Sequence, residues 1–316
     1  MNGTMLTRMG RYPGTAGIAL FVLMVMINIV VEPAALSAYN ISSTVQIAMP
    51  LVLGTLAQTL IMIAGGIDLS IGGVMSLTNA VVAVTSPSIG LAGSVALALS
   101  TGACVGLVNG FAIGILRIQP LVATLATYFA ASGAALLILP TPGGSVPDLF
   151  MSVYREQVAA FPLALVPAAL VLIAWIFARP GYGRWLFALG GNERNALRNG
   201  VPVMKVRFVA YVCAGLMASL AGLALTAEIA SGDPHSGNSY LLSTVAAAVL
   251  GGTSLAGGYG SLVGSVGGAM SLALIDHIVF FADVPWYFQE AVSSAIVLGG
   301  IAVAALTRFR PKMRHA

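Results

Sequence analysis

The chain has 316 residues, of which 58% are hydrophobic and 8% charged, with a formal net charge of +4. So little charge in so long a chain speaks against a water-soluble enzyme or a nucleic-acid-binding module, and makes the basic excess a matter of membrane topology. Cys104 and Cys213 both fall inside apolar runs, so no disulfide framework is implied.

A bilayer core of about 30 Å needs roughly 20 apolar residues per helix, and runs of that order recur along the chain. They predict helices at residues 15–31, 42–63, 67–84, 89–116, 121–139 and 162–178, then a charged loop, then helices at 208–227, 241–250, 261–281 and 287–306. The fold class is therefore all-α, a polytopic membrane protein of about ten transmembrane helices, forming one transmembrane domain over residues 1–316. The run 241–250 is too short to cross alone unless it recruits Thr253 to Ala256. Alternating strands of the barrel type are absent from the pattern. Arg8 and Arg11 precede the first run with no small-residue cleavage site after it, which reads as a retained helix.

The basic residues set the orientation, because Lys and Arg concentrate in cytoplasmic loops. Arg8 and Arg11 flank the first helix, Arg179, Arg184, Arg194, Arg198, Lys205 and Arg207 fill the central loop, and Arg308, Arg310, Lys312 and Arg314 follow the last helix. Six spans before the central loop and four after it put all three clusters on one side. Both termini and the loop at about 179–207 are then cytoplasmic, and the loop at about 140–161 lies on the opposite face.

Glycine patterns come next. Gly102, Gly106, Gly110 and Gly114 line one helix face, as do Gly260, Gly264 and Gly268, a spacing that lets helices approach closely in lipid. Asn109 shares the first of these faces, where its amide either bonds another helix or meets a transported solute. Two further stretches look like copies of one another. Gly65, Gly66, Asp68 and Ser70 are followed by Gly72 and Gly73; Gly251, Gly252, Thr253 and Ser254 are followed by Gly257 and Gly258. Glycine pairs around a short polar patch suit broken helices in an internal repeat, with Asp68, Ser70, Asn109, Thr253 and Ser254 as candidates for a solute pathway. Asp68 has two readings, a cap on the amides that open the next helix or a direct contact with solute.

The motifs G-G-I-D-L-S-I-G-G at 65–73, G-L-V-N-G at 106–110, I-Q-P-L-V-A-T-L-A-T at 118–127, A-L-G-G-N-E at 188–193 and L-G-G-T-S-L-A-G-G-Y-G-S at 250–261 resemble those of permease subunits of bacterial ABC sugar importers of the ribose/xylose/arabinose type. The resemblance implies a permease in the bacterial inner membrane that translocates a pentose or hexose. A periplasmic sugar-binding protein would deliver the sugar, and cytoplasmic ABC ATPase subunits would drive transport. It also implies pairing with a second permease copy or a related permease. No G-x-x-x-x-G-K-[ST] phosphate loop occurs here, so the permease itself is expected to be no enzyme, with no cofactor of its own; ATP and Mg would be used by the ATPase.

The resemblance further makes the central loop the ATPase-coupling segment, carried by Gly190, Gly191, Asn192, Glu193, Arg194, Arg198 and Gly200. Read from its residues, that segment is a short helix with Arg194 and Arg198 one turn apart, ended by Asn199 and Gly200 and stopped by Pro202. A basic loop that merely fixes topology would also account for it. Tyr259 and the run N-A-L-R-N-G at 195–200 depart from the family's usual residues, which bears on the choice of ATPase and permease partner. The alternative function is a self-contained, ion-coupled secondary transporter of a small polar solute, using Asp68 or the adjacent Asp276 and His277.

Overall fold

A computed structural model of the protein describes residues 14–155, 169, 173, 181–285, 287–289, 291–296 and 298–299. Most of the predicted span at 162–178, most of the cationic termini and the far end of 287–306 fall outside the described residues, which therefore do not settle the count of ten. Among the described residues there is no named strand, and one antiparallel bridge joins Gly143 to Gly232.

The helices are α1 (Thr15–Val31), α2 (Ala38–Ile63), α3 (Ser70–Gly114), α4 (Pro120–Ile138), α5 (Asp148–Arg155), α6 (Tyr182–Gly191), α7 (Glu193–Arg198), α8 (Val203–Ile229), α9 (Tyr240–Leu250) and α10 (Leu262–Phe281). Five of them, α2, α3, α4, α8 and α10, are long and apolar enough to cross a membrane. Two predicted spans, 67–84 and 89–116, are joined in α3 by a corner instead of a loop. Its helical backbone is interrupted only at Gly90 (φ 72°, ψ 172°), a conformation open to glycine alone. Hydroxyls of Thr85, Ser86, Ser88 and Ser94 bond nearby carbonyls around this corner.

α2 is the central rod. From Ala48 to Ala64 every residue is buried, as expected of a helix apolar on all sides and enclosed by others. α8 and α10 flank it, and α8 also packs along α3. Close approach is made through glycine: a Cβ on Gly106 would lie 2.6 Å from the Tyr211 carbonyl oxygen, and one on Gly215 would lie 3.0 Å from the Gly106 Cα. Gly260 precedes the N-cap Ser261 and so lies outside the α10 glycine face, which is made by Gly264, Gly267 and Gly268.

The repeat suggested by the glycine pairs has a backbone counterpart, shifted by one residue from the pairing read in sequence. The Gly65 amide bonds the Met62 carbonyl (3.0 Å) and the Gly66 amide bonds Ile61 (3.0 Å); the Gly252 amide bonds Val249 (2.9 Å) and the Thr253 amide bonds Ala248 (3.0 Å). Gly65 (φ 83°) and Gly252 (φ 93°) take the same left-handed position that closes a helix end. Gly65 therefore corresponds to Gly252, and Gly66 to Thr253. Each turn ends a helix, so these are connections between helices rather than breaks within one. α9 stops at Gly251, and Thr253 to Ala256 lie in the turn, so α9 is not lengthened by them. Gly72 and Gly73 are likewise not breaks: both sit inside α3, where Gly72 meets the Gly237 carbonyl and Gly73 meets Tyr128.

The two halves interlock. α1 runs along α10, from Gly14 against Ser261 to Asn28 against His277, while α8 runs along the start of α3, from Tyr211 against Gly66 to Thr226 against Asn79. The first helix of each half thus lies parallel to the helix that follows the turn in the other.

Candidate functional site

Asp68 sits in the turn between α2 and α3 and is 2% exposed. Its Oδ1 accepts from the Ser70 amide at 2.9 Å and from the Ser70 hydroxyl at 2.5 Å. That is the geometry of a cap on the first turn of α3, where unpaired amides and the helix dipole both favour an anion. The Ser70 hydroxyl in turn accepts from Asn109 Nδ2 at 2.9 Å, and Asn109 Oδ1 accepts from the Thr127 hydroxyl at 2.8 Å. One buried polar chain therefore ties the turn to both limbs of α3 and to α4. Thr124 adds to it by accepting from the Leu69 amide at 3.1 Å. Gln58 of α2 completes the ring: in the amide orientation that satisfies both its atoms, it donates to the Asp68 carbonyl at 2.8 Å and accepts from the Asp68 amide at 3.3 Å.

The other two pathway candidates occupy the second turn. Thr253 is 1% exposed and its hydroxyl lies 3.0 Å from that of Ser265; Ser254 accepts from the Ala256 amide at 3.2 Å, while its own amide bonds the Tyr259 carbonyl. The structure thus brings Asp68, Ser70 and Asn109 together and sets Thr253 and Ser254 in the counterpart turn. Gln58, Thr124, Thr127 and Tyr211 were not singled out in the sequence. The Tyr211 hydroxyl, buried and without a hydrogen-bond partner among the described residues, lies against Gly66, where a Cβ would come within 2.6 Å. Gln58 did offer a signal: an amide amid a long apolar run needs a partner.

The two turns meet the central segment at one place. The Gly258 amide bonds the Ile63 carbonyl at 3.0 Å, and a Cβ on Gly257 would lie 2.7 Å from the Gly65 Cα and 2.8 Å from the Gly190 carbonyl oxygen. Three stretches of backbone, around residues 63–65, 190–191 and 257–258, cross here, with no room for a side chain at Gly190, Gly257 or Gly258. The end of α6 is thereby wedged against both copies of the turn.

Beyond Gly191 the chain turns into α7. Asn192 caps it by accepting from the Asn195 amide at 2.9 Å, and Gly200 (φ 77°) closes it with the Val201 amide bonded to the Ala196 carbonyl. Of α7 only Ala196 is buried, so Arg194, Leu197 and Arg198 form an open face. Two contacts hold this elbow to α8. The Tyr182 hydroxyl donates to the Val206 carbonyl at 2.6 Å, and Arg207 donates to both carboxylate oxygens of Glu193 at 3.1 and 2.7 Å.

At the opposite end of α8, a cavity of about 460 Å³ is lined by residues that include Glu228, Asp233, Ser236, Ser239 and Tyr240. Asn79 shapes its wall: the amide donates to Thr226 and to the Ser231 carbonyl and accepts from the Asp233 amide at 2.6 Å. His277, one of the residues considered for proton handling, lies with Nδ1 3.1 Å from Asn28 Oδ1 and Nε2 3.7 Å from Glu32 Oε2; Glu32 also accepts from Asn40 at 2.6 Å. These residues bind α1, α2 and α10 to one another away from the elbow.

Long apolar helices packed through glycine contacts define a polytopic membrane protein. The chain belongs to the family described as the permease component of the branched-chain amino acid transport system, which matches residues 40–306. It is 33% identical over 285 residues to a probable ABC transporter permease protein, y4mJ, of Sinorhizobium fredii, covering 88% of this chain and 85% of that one. It is 32% identical over 297 residues to the ribose import permease protein RbsC of Escherichia coli K12, covering 90% and 92%. The autoinducer 2 import system permease protein LsrC of Yersinia pestis is 30% identical over 292 residues, covering 90% and 82%. No solved structure matches the chain.

Proposed function

We propose that the chain is the membrane-spanning subunit of an ATP-binding-cassette importer for a neutral pentose or hexose, docking a separate ATPase on α7 and receiving sugar from a periplasmic binding protein. The elbow carries this reading: a short helix capped at both ends, exposed along its outer face, and fixed to the transmembrane bundle by backbone crossings and a bidentate ion pair. Such a projection offers an external motor a handle, which a self-contained transporter does not need. Likeness to ribose import permeases supports the sugar class, and the scarcity of buried charge, with Asp68 the one buried ionisable carboxylate among the described residues, agrees with a neutral solute.

In this reading the chain lies in the bacterial inner membrane with the elbow and both termini in the cytoplasm, and works as a pair, either with a second copy or with a related permease. The cavity at the far end of α8 then faces the delivery side. Asp68 and Ser70 keep the turn above the elbow in shape, while Asn109 joins that turn to the rest of α3. The test is reconstitution in liposomes. Sugar uptake is expected only with ATPase, binding protein and ATP present, and uptake by the chain alone under a proton gradient would establish the secondary-transporter alternative instead.

A further inference from the structure

We infer that the Glu193–Arg207 pair is a strut that transmits displacement of α7 into α8, making Arg207 a positioning residue for transport. The inference rests on the reading above that α7 docks an ATPase. α7 is six residues long and contributes one buried side chain, Ala196, so apolar packing holds it only lightly. Along the chain it joins α8 through residues 199–202, where Gly200 in the left-handed region turns the backbone, so α7 and α8 are separate helices and not one continuous rod. The two-pronged contact between the Glu193 carboxylate and the Arg207 guanidinium, at 3.1 and 2.7 Å, adds a directed side-chain link between α7 and α8 across the chain turn.

The position of Arg207 makes that contact consequential. It lies in the second turn of α8, next to Val206, whose carbonyl receives the Tyr182 hydroxyl from α6. α8 continues from there along α2 and α3 to the far cavity, where Glu228 and Ile229 form part of the lining. A push on α7 is therefore delivered at one end of a packed rod whose other end borders the delivery-side cavity. The side chains of Arg207 and Glu193 are 20% and 44% exposed. An ion pair so open to solvent adds little to folding stability. Losing it should leave the fold intact while slackening the link.

The experiment uses the complete transporter, with this permease, its ATPase and its binding protein in proteoliposomes, and ribose as the probe sugar. Sugar uptake and ATP hydrolysis are measured together, with recovery of the assembled complex. In Arg207→Gln the sugar moved per ATP hydrolysed should fall by about fivefold or more, the lower end of ordinary coupling between sites. Assembly should be unchanged. Arg207→Lys, which keeps the charge but not the fork, should fall in between, and the exchanged pair Glu193→Arg with Arg207→Glu should recover most of the ratio. A normal ratio in Arg207→Gln, or an exchanged pair that assembles but stays as poor as the single variants, overturns the strut alone. A wild-type chain that transports without any ATPase overturns the functional reading as well.

Discussion

Replacing Asp68 separates a capping carboxylate from a solute-binding one. In Asp68→Ala the Ser70 amide and hydroxyl lose the oxygen they share, at 2.9 and 2.5 Å, in a turn that water barely reaches. Loss of an N-cap costs about 0.5–2 kcal/mol, and an orphaned buried donor about 1–3 kcal/mol. The two estimates describe partly the same bond, so the expected loss is about 2–3 kcal/mol. Asp68→Asn keeps an oxygen in place for the Ser70 amide. It weakens the bonds by removing their charge, but it also removes a buried carboxylate that is costly to desolvate. These effects oppose one another, and the net change should stay below about 1 kcal/mol. Heating the detergent-purified permease and following the monodisperse fraction by size exclusion reads the difference: Ala clearly destabilised, Asn close to wild type. In the reconstituted transporter Asn should retain uptake. An Ala variant as stable as wild type would refute the cap, and an Asn variant that assembles normally yet transports nothing would show that the carboxylate meets the solute.

Three further outcomes follow from the geometry. Gly106→Ala should weaken the α3–α8 contact, since its Cβ would fall 2.6 Å from the Tyr211 carbonyl oxygen, whereas Gly133→Ala, with nothing within 4 Å, should be neutral or slightly stabilising in the same heating assay. Gly252→Ala places a side chain at φ 93° and should cost about 1–2 kcal/mol; equal stability of variant and wild type would count against the turn geometry. A cysteine at Arg198, in a chain whose Cys104 and Cys213 are replaced by Ser, should react with a membrane-impermeant maleimide only after the cells are opened, and labelling of intact cells would invert the proposed orientation.

Much of the fold could be read from local pattern. α1 falls where its apolar run does, and α4, α8 and α10 each lie within a few residues of theirs. The short helix at 193–198, with Asn192 before it and Asn199–Gly200 after it, was legible because caps are made by residues a few positions apart in the chain. The place of Asp68 at the start of α3 was legible for the same reason. Glycine was the less reliable guide. Gly65 and Gly252 end helices through a left-handed residue, while Gly72 and Gly73 lie within a helix and make room for neighbours, and nothing local distinguishes the two uses.

What the amino-acid order determined by itself, then, was a helical membrane protein, the place of most of its apolar runs, the likeness of its two glycine stretches and its capped elbow. Only the tertiary structure decided the one-residue register of the repeat, the corner at Gly90, and the pairings of Asn109 with Ser70, Gln58 with Asp68, and Arg207 with Glu193. The reason is physical. Hydrophobicity sends a helix into lipid but does not tell it which neighbour to choose, because lipid tails are as apolar as the helix surface. The choice falls to close glycine contacts and buried polar bonds between residues tens to hundreds of positions apart, which no local pattern encodes.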